Sequence, residues 1–212
     1  MSLFTEDQYN YLHERVFSSE QPYPGYRPNV AELPNGDGYV DIDKRYAHIS
    51  DKYLTSQYFY ACLNRYLEMA HDFAKAMARY AGLPAEWWPV KEYGALRILD
   101  YPPGAISHRH TDFDLFTVMC YRDQPDQFKT EDVEIGPVLT KMRELDPQVH
   151  LGEISELMGF GAATPHEVLP STTRQRSVVY FALPDHKAVL PNGVTVGEWL
   201  QERMSRSRIE VR

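Results

Sequence analysis

The stretch SHRHTDFDLFTVMCY (107–121) combines a candidate pair of metal ligands with the start of an apolar strand. His110 and Asp112 are separated by one residue, and alternation along a strand places both side chains on one face. One imidazole and one carboxylate then converge, and a second histidine from elsewhere would complete the two-histidine, one-carboxylate set that holds non-haem iron. His166, in the segment ATPHEVLP, is the best candidate for that third ligand. The pattern therefore predicts a metal site with mixed nitrogen and oxygen ligands.

The two cysteines bear on which metal such a site would hold. Cys62 and Cys120 lie inside the apolar runs FYACLNRYL and FTVMCY, where free thiols behave as small hydrophobic side chains. Structural zinc normally fills four ligand positions and recruits cysteine, so the sequence favours iron and predicts no disulfide framework. A zinc hydrolase using the same ligands is a weaker alternative, because it would need a general base such as the glutamate of HExxH, and the sequence lacks that motif.

Short apolar segments separated by turns follow Pro89 and predict a β-rich core. Leu, Ile, Val and aromatic residues dominate them, as is typical of strands. The four clearest are ALRILDYP (95–102), LFTVMCY (115–121), QVHLGE (148–153) and SVVYFAL (177–183). They do not alternate with helices as βαβ units would, so we expect a mainly β protein with helices (α+β), built as an antiparallel sandwich or barrel with the helices outside it.

Helices and loops are expected in residues 1–90. Thr5 and Gln8 have the spacing of a capping box, which predicts a short amphipathic helix after them. Prolines and a glycine between 21 and 35 predict an irregular loop. A long helix should then end at Gly82, and its buried stripe, at helical spacing, is Phe59, Leu63, Tyr66, Ala70, Phe73, Met77 and Tyr80 or Ala81. A final helix is predicted in VGEWLQERMSRSR (196–208).

Length and composition predict a single domain over 1–212. The chain has 212 residues, 43% of them apolar and 25% charged, as is usual for a globular protein. We divide it into a helical and loop layer (1–90), a β core (91–185) and a C-terminal helix (186–212). The net charge of −8 disfavours nucleic acid as a partner. No run is apolar enough for a signal peptide or a membrane span, so we expect a cytoplasmic protein that does not bind membranes. The expected partner is a small-molecule substrate.

Several motifs occur in an order that resembles a known family. They are LRILDYPP, HTDFDLFTVM, HLGEISELMGFG, ATPHEVLP and RQRSVVYFALPDHKAVL. Together they resemble the non-haem Fe(II) and 2-oxoglutarate-dependent dioxygenases, in the branch that includes isopenicillin N synthase. The resemblance implies a double-stranded β-helix, or jelly-roll, and Fe(II) bound by His110, Asp112 and His166. It also implies 2-oxoglutarate as co-substrate and O2 as oxidant.

The expected anchor for 2-oxoglutarate departs from the pattern of the family. Members bind the far carboxylate with the arginine of an R-x-S motif on a late strand, but here Gln175 stands two residues before Ser177. Arg174 and Arg176 flank Gln175, and alternation aims both to the side opposite it. A bulge would therefore be needed to bring an arginine inward. We expect Arg176 as the anchor, with Arg174 as the second candidate and with Tyr101 and Ser177 as further residues that bind 2-oxoglutarate.

The nature of the substrate is the least determined part of the function. Arg97 and Arg109 are candidate partners for an anionic group, which suggests a small carboxylated metabolite such as an amino acid or a small peptide. In the family, halogenases need a small residue in place of Asp112, so the aspartate favours hydroxylation, desaturation or ring formation. Two other functions remain open: an iron oxidase of the isopenicillin N synthase type that uses no 2-oxoglutarate, and a non-catalytic jelly-roll binding domain.

Overall fold

The structure is a computed structural model that describes residues 2–17, 23, 26–33, 44–49, 58–131, 133, 135–206 and 208–211. Its helices are α1 (Glu6–Val16), α2 (Tyr58–Tyr80), α3 (Pro137–Leu145), α4 (Glu153–Leu157) and α5 (Val196–Ser205). Its strands are β1 (Tyr26–Leu33), β2 (Lys44–Ile49), β3 (Ala95–Tyr101), β4 (Ser107–His110), β5 (Phe116–Arg122), β6 (Phe128–Thr130), β7 (His150–Leu151), β8 (His166–Val168), β9 (Gln175–Ala182) and β10 (Arg208–Val211).

Two antiparallel sheets form the β core. The larger sheet has the strand order β10-β1-β2-β3-β9-β5-β7, and the smaller one has the order β4-β8-β6. Strands β3, β5 and β9 contain the apolar segments that predicted them. The antiparallel α+β architecture expected from the sequence is thus confirmed, with helices added outside the strands. None of the described helices is both long and apolar enough to cross a bilayer.

The predicted N-terminal helices are present. Thr5 and Gln8 form the capping box at the start of α1. The stripe of α2 is buried at Leu63, Ala70, Met77 and Ala81, whereas Tyr66 and Phe73 are only partly buried and Tyr80 is 50% exposed; the burial of Phe59 lies outside the described residues. Leu67 and Ala74, which were not part of the predicted stripe, are buried as well. The face of α2 that packs on the large sheet is therefore rotated slightly away from Tyr80.

The expectation of an irregular loop between 21 and 35 is wrong for most of that segment, since it contains β1. Pro28 falls where the register between β1 and β2 shifts, between Arg27 and Val30. The ladder is interrupted there, so the missing N–H of proline costs no strand hydrogen bond. Strand β10 pairs with β1 in the segment expected to be only a terminal helix. Strands from both ends of the chain therefore extend the large sheet beyond the expected β core.

The two faces of the large sheet have different roles. In β3, Ile98 faces the core under the helices, whereas Leu99 and Tyr101 belong to a second apolar cluster on the opposite face. β9 divides in the same way, with Tyr180 under the helices and Val179 in the second cluster. The second cluster also contains residues of the small sheet, so it lies between the two sheets. The candidate site described below is on this inner face.

Candidate functional site

His110, Asp112 and His166 come together at one end of the small sheet. His110 ends β4 and His166 begins β8, and the two residues are directly paired across the ladder. Their rings lie 4.4 Å apart between centroids. Asp112 follows β4 in the turn that leads to β5. Strand pairing thus juxtaposes two histidines that are far apart in sequence, and the short turn adds the carboxylate.

The spacing of the three side chains suits a metal ion. Oδ1 of Asp112 lies 3.7 Å from Nε2 of His110 and 3.8 Å from Nε2 of His166, and one ligand atom from each residue lies within 4.8 Å of the others. These distances exceed those of hydrogen bonds. A metal ion about 2.0–2.2 Å from imidazole nitrogen and carboxylate oxygen would sit among three such atoms. The donor set, two nitrogens and one oxygen, is the one predicted from the sequence.

Backbone carbonyls orient both imidazoles. Nδ1 of His110 lies 2.6 Å from the carbonyl oxygen of His108, and Nδ1 of His166 lies 3.1 Å from that of Thr164. A carbonyl only accepts, so each Nδ1 carries the proton and each Nε2 directs a lone pair toward the centre of the site. Burial, and next the interaction with His150, lower the pKa of His166 well below its usual value, which keeps this imidazole neutral.

The carboxylate of Asp112 is held through its second oxygen. Oδ2 accepts a hydrogen bond of 2.5 Å from the hydroxyl of Thr117 and one of 3.0 Å from Nε2 of His150. Burial alone would raise the pKa of Asp112, but the interactions with His166 and His150 outweigh it and hold the pKa well below its usual range. Oδ1 therefore remains an anionic donor directed at the two histidines.

His150 is a residue of the site that the sequence reasoning missed. It is 1% exposed, lies in β7 and is paired with Thr117 of β5, so both partners of Asp112 Oδ2 come from neighbouring strands. Its ring lies 4.3 Å from that of His166. The sequence did place His150 in a predicted strand, QVHLGE. Only the register of that strand against β5 shows that the side chain contacts Asp112.

Asp114 extends the network behind the carboxylate. Its Oδ2 lies 2.8 Å from the hydroxyl oxygen of Thr117. Burial, and next the charge of Asp112, raise the pKa of Asp114 well above its usual value, so this carboxyl group is easier to protonate than that of an exposed aspartate. The hydroxyl of Thr117 has one proton and two acceptors in reach, Oδ2 of Asp112 at 2.5 Å and Oδ2 of Asp114 at 2.8 Å. This chain of hydrogen bonds fixes the orientation of Asp112.

An open cavity of about 440 Å³, a volume that includes solvent space at its opening, lies at the three candidate ligands between the two sheets. Its walls are mostly apolar, as is usual for small-molecule sites. The apolar lining residues are Leu99, Met119, Phe128, Val168, Val179 and Phe181. Two residues expected near a substrate or co-substrate, Arg97 and Tyr101, also line it. The guanidinium carbon of Arg97 lies 4.8 Å from the centre of the Phe181 ring.

Arg174 and Arg176, the expected anchors for 2-oxoglutarate, are not among the residues that line this cavity. The register of β9 against β3 is regular, so both arginines point away from Gln175. Arg174 binds the buried carboxylate of Asp100, and Arg176 binds Asp123 through Nε at 2.8 Å. The bulge needed to turn either arginine inward is absent from the pairing of β9 with β3. Arg176 does line a smaller recess next to the cavity, and the role of either arginine as anchor stays a prediction.

Of the two remaining site candidates, Arg109 lies away from the cavity and Ser177 lies next to it. Arg109 is a candidate substrate partner by sequence, but it forms an exposed ion pair with Glu131 and does not line the cavity. Ser177 lines a smaller recess, which shares Tyr101 and Arg122 with the main cavity. Arg122 was not a candidate from the sequence, because plain alternation along β5 would have placed it on the other face.

The fold is similar to that of several solved oxygenase structures, whereas no known family model and no curated protein matches the sequence. A putative oxygenase from Shewanella oneidensis is 19% identical, with a TM-score of 0.61 over 94% of this chain and 84% of that one. A full-length Neurospora crassa protein, solved in complex with alpha-KG and 5-formyluracil, is 14% identical, with a TM-score of 0.61 over 95% of this chain and 83% of that one.

A third structure, JOX2 in complex with 2OG, Fe and JA, is 13% identical, with a TM-score of 0.56 over 93% of this chain and 71% of that one. The chain has the fold of these oxygenases. The likeness extends over nearly all of its length, so it includes the helices and not only the β core. The jelly-roll architecture implied by the sequence motifs is confirmed.

Proposed function

We propose that this protein is an Fe(II)- and 2-oxoglutarate-dependent oxygenase. The observation that carries the proposal is the convergence of Nε2 of His110, Oδ1 of Asp112 and Nε2 of His166 in the wall of one cavity. Structures with the same fold support it, since the Neurospora crassa protein was solved with alpha-KG and JOX2 with both 2OG and Fe. Three protein ligands leave the remaining positions of an octahedral ion open for 2-oxoglutarate and O2.

The residues of the chain would bind, orient and shield the reacting groups. Iron and 2-oxoglutarate would supply the activation of O2, coupled to decarboxylation of the co-substrate to succinate. His110 and His166 would hold the ion through neutral imidazoles, and Asp112 would supply one negative charge. The apolar walls of the cavity, including Met119 and Phe181, would exclude water from the oxidised carbon atom.

The substrate is proposed to be a small, carboxylated metabolite, such as an amino acid or a small peptide. Arg97 supports this class, because it places a guanidinium in the wall of the cavity, close to the aliphatic and aromatic side chains that line it. With Asp112 occupying the third ligand position, we propose hydroxylation, desaturation or ring formation as the outcome. The isopenicillin N synthase-like branch remains part of this proposal.

An iron oxidase that uses no 2-oxoglutarate is the second candidate. The observation in its favour is that Gln175 faces inward where the resembled family carries its anchoring arginine, while both neighbouring arginines face outward. Such an enzyme would take all its electrons from the substrate. The same fold and iron ligands would serve both reactions, so only the co-substrate separates them.

Anaerobic metal titration followed by a turnover assay tests the proposal. Protein purified without metal should bind one Fe(II) per chain and release succinate from 2-oxoglutarate in air. Replacing His110 and Asp112 together by alanine should abolish binding, whereas Arg109→Ala, at an arginine that forms an exposed ion pair with Glu131, should not. Metal binding that survives the double substitution contradicts the site. If iron binds but 2-oxoglutarate neither alters its absorption spectrum nor turns over, the oxidase function is correct.

A further inference from the structure

A bulge in β5 turns Arg122 toward the cavity. The Cα partners on the two sides of it are Met119 with Val179, Tyr121 with Val178 and Arg122 with Ser177. Cys120 is therefore an extra residue in the strand, and the alternation of side chains is reversed beyond it. Tyr121 faces outward, where it stacks on Tyr9 of α1 at 5.2 Å, and Arg122 lies on the inner face. Without the bulge, Tyr121 would take the inward position.

The guanidinium of Arg122 is a cation in a poorly hydrated place. Its Nε is buried and has no hydrogen-bond partner among the described residues. Burial lowers the pKa of Arg122 to about 10, which still leaves it protonated near neutral pH. Its guanidinium carbon lies 4.2 Å from the centre of the Phe128 ring. A buried cation is costly unless an anion accompanies it.

Asp123, the carboxylate next to Arg122 in the chain, is already bound to Arg176. The carboxylate of Asp123 accepts hydrogen bonds of 2.8 Å from both the backbone N–H and Nε of Arg176. Within the described part of the chain, no ion pair joins Arg122 to a carboxylate. The arginine expected to bind the co-substrate thus neutralises Asp123, and Arg122 is left facing the cavity.

The surroundings of Arg122 are suited to a carboxylate. It lines the smaller recess with Tyr101, Gln175 and Ser177, whose side chains add two hydroxyl groups and one amide. Nε2 of Gln175 donates to the carbonyl of Leu169 at 2.8 Å, so this neutral residue adds no charge. Asp123 and Arg176 also line the recess, but they are bound to each other. The recess therefore sets hydroxyl groups beside the guanidinium of Arg122, which forms no ion pair within the described residues, and such groups bind a carboxylate.

The Phe128 ring lies close both to Arg122 of the recess and to His166, a candidate metal ligand. Phe128, whose ring contacts the guanidinium of Arg122, also lies 5.3 Å from the ring of His166. One aromatic ring thus separates the cation from a candidate metal ligand, and both line the same cavity. A five-carbon diacid that chelates the metal through its 2-oxo acid end would direct its other carboxylate along this path.

We propose that Arg122 of β5 binds the far carboxylate of 2-oxoglutarate, in place of the arginine expected on β9. In this chain the guanidinium lies on the adjacent strand β5, where Arg122 is paired with Ser177. Gln175 stands at the position where the resembled family has its arginine. This inference rests on the proposed function, because it presupposes that 2-oxoglutarate is the co-substrate. It removes the reason to expect an oxidase, since an anchor is present on another strand.

Calorimetric binding to the anaerobic Fe(II) protein tests the assignment without turnover. The probes are 2-oxoglutarate and 2-oxopentanoate, which has the same five carbons but no far carboxylate. Wild-type protein should bind 2-oxoglutarate about 100-fold more tightly, because one charge-assisted pair in a closed site is lost with the analogue. Arg122→Gln should reduce this ratio to below about tenfold while leaving the affinity for 2-oxopentanoate unchanged. Arg174→Gln should retain the wild-type ratio, because Arg174 binds Asp100 on the outer face and lines neither the cavity nor the recess.

Each outcome separates this inference from the proposed function. If wild-type protein binds iron but neither oxo acid, the co-substrate itself is wrong. If wild-type protein discriminates and Arg122→Gln discriminates equally, the assignment of Arg122 is overturned, and loss of the ratio in Arg174→Gln would return the anchor to β9. Stoichiometric Fe(II) binding verifies that each variant is folded. Should Arg122→Gln fail this control, Arg122→Lys takes its place and should still lower the ratio, since lysine cannot form the two-pronged contact.

Discussion

Nη1 of Arg174 lies 2.6 and 2.7 Å from the two carboxylate oxygens of Asp100, whose side chain is fully buried. Asp100 lies on the outer face of β3, and Nε2 of His13 in α1 is 3.0 Å from the same carboxylate. The arginine therefore stabilises the packing of α1 and β9 on β3. Its role is structural, which explains why it does not face the cavity.

Loss of this arginine should destabilise the fold but spare the site. Arg174→Gln leaves a buried carboxylate with a weaker partner and should lower the free energy of unfolding by about 1–3 kcal/mol. Urea denaturation measures this value, and Fe(II) affinity should stay unchanged. Arg206→Gln is the matched control, because its pair with Glu202 is exposed and should contribute less than about 0.5 kcal/mol. Equal effects of the two substitutions would contradict this role.

Removing the partner of the Asp112 carboxylate should weaken metal binding. In His150→Leu, Oδ2 of Asp112 loses the bond from Nε2, and the carboxylate is free to rotate away from the two histidines. Fe(II) affinity should fall about 10- to 100-fold, as is usual when a supporting hydrogen bond to a ligand is lost. Anaerobic competition with a chelator measures the change. His186→Leu, at a partly buried histidine stacked on Tyr93, should leave the affinity unaltered.

The raised pKa of Asp114 should appear in the pH dependence of stability. Its pKa is raised in the folded protein, so wild-type stability should fall as pH rises from about 4 toward the folded pKa. Asp114→Asn keeps a donor toward Thr117 and cannot ionise. Its stability relative to wild type should therefore increase with pH, by about 1.4 kcal/mol for each unit of the shift. Urea denaturation between pH 4.5 and 8 gives this difference, and parallel curves would refute the prediction.

Gly152 packs against the turn that carries Asp112. A Cβ at this position would lie 2.2 Å from both the carbonyl oxygen and Oδ1 of Asp114, too close without moving the turn. Gly152→Ala should lower the free energy of unfolding by about 1–3 kcal/mol and weaken Fe(II) binding. Gly136→Ala is the control, since its Cβ would meet only an ordinary contact at 3.6 Å with the carbonyl of Phe160. Thermal unfolding with and without metal measures both effects. An unchanged melting temperature in Gly152→Ala would contradict the close packing at this position.

Local sequence was sufficient for the main strands, the long helix and the candidate iron ligands. Apolar segments and helical periodicity are properties of adjacent residues, so β3, β5, β9 and α2 could be predicted before any packing was known. His110, Asp112 and His166 could be chosen because the donor types and the order of the motifs indicate a chemistry. Strand β1 could not be predicted, because whether Pro28 interrupts a strand depends on the register of its partner.

Only the tertiary structure decided which arginine faces the cavity. By sequence, Arg174 and Arg176 lie beside the position where the resembled family has its anchor, and Arg122 lies on a strand whose alternation points it outward. The bulge at Cys120 reverses that alternation, and the regular register of β9 keeps the other two arginines on the outer face. His150 is similar, since pairing with β5 brings it to Asp112. The direction of a side chain in a sheet depends on pairing between strands, which is a property of distant segments and not of the local sequence.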